Sequence, residues 1–111
     1  MNLIEEIKKK VEMEIRLASR ADSYLEAVVA EKDLQSLRSI LTLYLGPVAK
    51  EPGKNRVFPE EVEELIDALG GLRSEQSFFY KQDGNKILYA ALWPWQSNRE
   101  KITLKVGTHE G

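Results

Sequence analysis

The chain has 111 residues, of which 42% are hydrophobic and 31% charged, and a formal net charge of −2. That length holds one domain, residues 1–111, and folding can bury about two-thirds of the unfolded surface, so a core forms without staples. The absence of cysteine and the single histidine, His109, exclude disulfide frameworks, thiolate metal sites, cysteine nucleophiles and a multi-histidine metal centre within the chain.

In chain order, the first element spans residues 2 to about 31. Ile4, Ile7, Val11, Ala18, Ala21, Leu25 and Val28 recur at spacings of three and four, with Ile15 filling the stripe beside Glu14, and neither glycine nor proline interrupts them. That period predicts one apolar seam along a helix. Two versions stay open: one helix of about 40 Å, or two helices broken near Ser19–Ser23, where Ser23-x-x-Glu26 matches a capping box. Asp33 reads as the cap of a second helix over Leu34–Leu45, with Leu34, Leu37, Leu41 and Tyr44 on its buried stripe and Gly46-Pro47 ending it. The short link between the two makes an antiparallel helical hairpin the expected arrangement.

Residues 46–58 read as a loop made basic by Lys50, Lys54 and Arg56. Pro59 suits the first position of a third helix. Glu60, Glu61, Glu63 and Glu64 crowd that helix's positive end, Val62, Leu65, Ile66 and Leu69 form its stripe, and Gly70-Gly71 stops it. Gln76–Gln82, Lys86–Trp93 and Glu100–Val106 read as strands, with a tight hairpin signal at Asp83-Gly84 and a stop at Pro94. Ile102, Leu104 and Val106 alternate with Thr103 and Lys105, so one face of the last strand is buried and the other wet. Phe78 and Tyr80 point away from Phe79, which puts large rings on both faces. The tail Gly107–Gly111, with His109, reads as a loose end. The predicted fold class is α+β: an N-terminal helical hairpin and a third helix (about 2–70), then a three-stranded antiparallel β-meander (about 75–107) packed on the helices.

No segment is long and apolar enough to span a membrane, since Ile87–Trp93 falls far short of about 20 residues. No apolar signal segment follows lysines 8–10, so the expected location is cytoplasmic, without a membrane partner. There is no glycine-rich phosphate loop, and the glutamates of the third helix read as a solvated helix start. No catalytic residue, metal site or cofactor is expected.

The function expected from these features is a non-enzymatic protein-binding or assembly domain acting as a homodimer. The second helix, about 18 Å long, covers less than half of the first one's seam. A second copy would cover the rest through Ile4, Ile7, Val11 and Ile15; a different protein is the other partner such a domain takes.

The alternative is an RNA-binding or RNA-cleaving module that uses a basic sheet face. Residues 71–106 carry six bases and three acids, and residues 59–70 five acids and no base. Lys81, Lys101 and Lys105 are expected on one sheet face, with Trp93, Trp95 and Arg99 at its rim and the basic loop beside them. Lysines on solvent-facing strands also serve solubility alone. Helices followed by a meander ending in Lys105-Val106-Gly107-Thr108-His109 resemble the C-terminal half of ribosome-dependent mRNA-cleaving toxins of the RelE type. The resemblance implies acid–base work on RNA by a basic or histidine side chain near this end. That family's first strand, before its helices, has no counterpart here, and its usual basic charge is replaced by an acidic one.

Overall fold

The computed structural model describes residues 3–17, 19–20, 23–54 and 57–110. Its first helix, α1, covers only Leu3–Lys10 and carries a one-turn ion pair, Lys10 Nζ to Glu6 at 2.8 Å. The chain then turns and forms an antiparallel hairpin of β1 (Met13–Ile15) and β2 (Tyr24–Ala30). A 3-10 turn, Glu31–Asp33, leads into α2 (Leu34–Leu45), and α3 follows over Glu60–Ala68. β3 (Ser77–Asp83), β4 (Lys86–Pro94) and β5 (Lys101–Glu110) complete one antiparallel sheet in the order β1-β2-β5-β4-β3.

The α+β class is as the sequence predicts, but the sheet has five strands. β3, β4 and β5 do run as a meander, and β2 and β1 add to the outer side of β5. The expected long helix, and with it the helical hairpin, is replaced by a short helix and a strand pair. The physical reason lies in Tyr24–Ala30. Leu25, Ala27 and Val29 alternate as a strand requires, while Leu25 and Val28 also satisfy a helical spacing. The β-branched pair Val28-Val29 favours the extended form. Ser19, within the segment expected to break the helix, completes the hairpin. Its Oγ accepts from the Glu26 N–H and donates to the Glu26 carbonyl, both at 2.9 Å, while the Arg16 N–H donates to the same carbonyl. Ala18 and Ala21, two positions of the expected seam, lie outside the described residues.

Register assigns the side chains to two faces. On the first, Leu25, Ala27, Val29, Phe79, Ala90, Leu92, Ile102, Leu104 and Val106 meet α1 and α2 through Ile4, Ile7, Leu37, Ile40, Leu41 and Leu45. On the second, Phe78, Ile87, Tyr89 and Ala91 meet Val62, Leu65 and Ile66 of α3, with Phe58 set edge-on against Phe78 at 5.8 Å. Ile4, Ile7 and Val11, expected to await a second copy, are thus buried within their own chain, at 5%, 0% and 4% exposure. Ile15 is half exposed. The seam is covered because the chain returns after Lys10 and brings the sheet and α2 against α1, which a continuous helix could not do.

Asp33 makes no side-chain capping bond at the start of α2. The loop after α2 is not a basic surface strap at Lys50. That side chain is 5% exposed, and its Nζ donates to the carbonyls of Gln76 at 2.8 Å, Ser74 at 3.0 Å and Glu51 at 3.3 Å. Burial holds this ammonium below the ordinary lysine range, partly offset by the charge of Glu75. The backbones of Lys50 and Phe78 also exchange hydrogen bonds, which covers part of the outer edge of β3. Lys50→Met keeps the stem but leaves the carbonyls without their donor. The expected cost is about 2–3 kcal/mol, read as a lower urea midpoint with an unchanged slope.

Candidate binding surface

α3 packs on β3 and β4, and its end is sharply defined. The Gly71 N–H donates to Ile66 O at 2.8 Å and the Gly70 N–H to Asp67 O at 3.0 Å, with φ of +95° at Gly70 and +87° at Gly71. This left-handed stop turns the chain back toward β3. Among the described residues, no helix packs on the second face of β2 and β5. Alternation places Tyr24, Glu26 and Val28 of β2 there, together with Lys101, Thr103, Lys105, Gly107 and His109 of β5. Trp93 stands opposite Thr103 on the neighbouring strand β4, and Trp95 follows just beyond that strand.

The polar groups on this surface form a connected set. The Tyr24 hydroxyl donates to Glu26 Oε1 at 2.9 Å, and Lys105 Nζ lies 3.9 Å from the same oxygen and 4.9 Å from the Trp93 ring centre. Lys101 Nζ sits 5.3 Å from the centre of the Trp95 ring. Trp95 is held at both ends: its N–H donates to the Lys101 carbonyl at 3.0 Å and its Nε1–H to Thr103 Oγ1 at 2.9 Å. Both indoles remain partly exposed. They line a groove of about 620 Å³ with Gly70, Arg73, Thr103 and Lys105. A wider concavity of about 790 Å³ runs along the outer side of α2 past Thr42 and Leu43. It has no indole, and its Arg38 already lies 5.8 Å from the Phe79 ring centre.

Gly107 fits the sheet between two rings. A Cβ there would stand 2.9 Å from the Tyr89 hydroxyl and 3.1 Å from Cδ1 of Tyr24, so the close approach of both tyrosines requires glycine. Burial, then the hydrogen bond and charge of Glu26, push the Tyr24 hydroxyl well above its ordinary value of 10.0; burial alone raises Tyr89. Both phenols therefore favour the protonated form when folded. The unfolded chain loses these protons first as pH rises through about 10, so stability is present below that pH and falls above it. Absorbance at 295 nm should show these two tyrosines ionising together with alkaline unfolding, and Tyr24→Phe should move the loss of stability to higher pH.

The structure gathers Trp93, Trp95, Lys101 and Lys105 as the sequence suggests, and separates the rest of the expected basic surface. Lys81 is opposite Leu88 in the register, on the face that carries Phe79, so it cannot join Lys105. Arg99 lies in the turn before β5, beside a hollow it shares with Pro52 and Trp95. Lys50 is buried, Lys54 is exposed 3.8 Å from Glu51, and Arg56 lies outside the described residues. His109 is in β5, opposite Ile87, because the strand continues to Glu110 instead of ending near Val106. Among the acids of α3, Glu63 accepts the Phe58 N–H and Glu61 accepts from Gln82. Tyr24 and Glu26 are absent from the expected surface; their signal is the alternation with Leu25 and Ala27, visible once residues 24–30 are read as a strand.

Among the described residues, no three histidine, aspartate or glutamate side chains gather as a metal site would need, and no helix is long and apolar enough to cross a membrane. No family model, curated protein or solved structure matches the chain. The surface presents two partly exposed indoles, two ammonium groups and a carboxylate.

Proposed function

We propose that this chain is a non-catalytic protein-binding domain that docks an acidic segment with apolar side chains on the uncovered half of its sheet. The observation that carries the reading is the pairing of two partly exposed tryptophans, each with a lysine ammonium near its ring, where the chain's own helices give no cover. Tryptophan supplies large apolar contact at little entropic cost and is enriched among residues that dominate interface energies. A partner carboxylate could take Lys105 from Glu26, a partly buried pair whose 3.9 Å separation is too long for a hydrogen bond, while apolar groups fill the groove beside Trp93.

RNA is the competing occupant, favoured by the presence of Lys101 and Lys105 on the same face as the indoles. It is the weaker fit. Lys81 is on the opposite face of the sheet and Lys50 is buried, so the basic track that a phosphate backbone would follow is broken up.

The test selects peptides from a random display library on the intact chain. Enrichment of acidic sequences carrying apolar residues is expected, with binding weakened about 10-fold or more by Trp95→Ala or Lys105→Glu and unchanged by Arg38→Glu on α2. Selected peptides that ignore the first two changes overturn the reading. Binding of oligouridine with a steep loss between low and moderate salt assigns the surface to RNA instead.

A further inference from the structure

The two outer edges of the sheet are treated differently. β3 is partly covered by the Lys50–Phe78 bridge and ends in the exposed polar run Lys81-Gln82-Asp83. Among the described residues β1 has no such cover, and Ile15 at its end and Leu17 just beyond it are 50% and fully exposed. The Arg16 N–H points inward to Glu26, so alternation turns the backbone N–H and C=O of Met13 and Ile15 toward the open edge, and Leu17 follows in the turn that the Ser19 N–H closes on the Arg16 carbonyl.

We infer that two copies of the chain pair antiparallel through β1, related by a two-fold axis at Ile15. The occupant follows from the order of residues at this edge, Met13-Glu14-Ile15-Arg16-Leu17. Read against itself in reverse, it sets Ile15 opposite Ile15, Met13 opposite Leu17, and Glu14 opposite Arg16 on both sides of the axis. Apolar residues meet apolar residues, and each acid meets a base. Within one copy Glu14 and Arg16 are exposed and only 3.9 Å apart, so the partner's guanidinium joins a carboxylate that solvent already reaches. Leu17 of the second copy lies beside Met13, at the hollow by the end of α1 that Val11, Met13 and Ile15 line together with Lys8–Lys10 and Glu12.

Self-association is thereby carried by the edge strand and not by Ile4, Ile7 and Val11, which the core holds. Pairing joins the two sheets into one of ten strands and leaves the tryptophan surface free, so it stands independently of the peptide-binding reading. Five residues a side make a small interface, so the dimer dissociates on dilution.

Sedimentation equilibrium of the intact chain tests this. The mass should rise from 12.7 kDa toward twice that value as concentration increases to the order of 1 mM. Glu14→Arg and Arg16→Glu each place like charges across the axis and should weaken the dimer about fivefold or more. The double variant restores opposite charges in the same register and should recover the parent affinity, while Ile15→Asp should leave a folded monomer. Unchanged urea midpoints identify effects on pairing alone. A mass of 12.7 kDa at every concentration overturns the inference. So does a dimer indifferent to the single reversals, or one the double variant fails to restore.

Discussion

Ile102, Leu104 and Val106 of β5 lie beneath α1 and α2, whereas Thr103, Lys105 and His109 of the same strand face a side that α3 reaches only over β3 and β4. A five-stranded sheet has two faces to shelter. Two helices suffice for one, and one nine-residue helix does not suffice for the other. The uncovered part is lined with partly polar side chains in mutual contact, Tyr24 to Glu26, Glu26 to Lys105 and Trp95 to Thr103, so exposure there does not leave a bare apolar patch. The same asymmetry places both indoles at the margin between the covered and uncovered halves.

Legibility in the sequence varied with how local the deciding forces are. α2 could be read to its bounds, Leu34–Leu45, because its stripe and the Gly46-Pro47 stop are properties of neighbouring residues. The β3–β4 hairpin follows from Asp83-Gly84, with Asp83 opposite Lys86 and φ of +63° at Gly84. Residues 11–30 were misleading. Their apolar positions fit a 3.5-residue period, and the choice of hairpin over helix depends on β5, whose seven paired residues with β2 lie some 75 positions downstream. Strand extent also escaped: Thr108 and His109 gain partners only because β4 begins at Lys86 opposite Glu110.

The candidate surface was half legible. Thr103, Lys105 and Lys101 share a face by alternation within one strand, and Trp93 joins them through register with Thr103. Lys81 was misplaced because parity between strands depends on a register that composition does not specify. Lys50 was misread because its charge suggested solvent, whereas three carbonyls from two loops converge on it. A basic residue in a loop can be a structural tie as readily as a phosphate ligand.

The central claim is that one half of one sheet face lies beyond the helices, with both indoles partly exposed at its margin, while the front seam is closed. Hydroxyl-radical footprinting of the intact chain at low concentration, read by mass spectrometry, reports side-chain access directly. The account predicts rapid labelling of Trp93 and Trp95 and protection of Ile4, Ile7, Phe78 and Phe79. Slow labelling of both tryptophans together with ready labelling of Ile4 and Ile7 would contradict it.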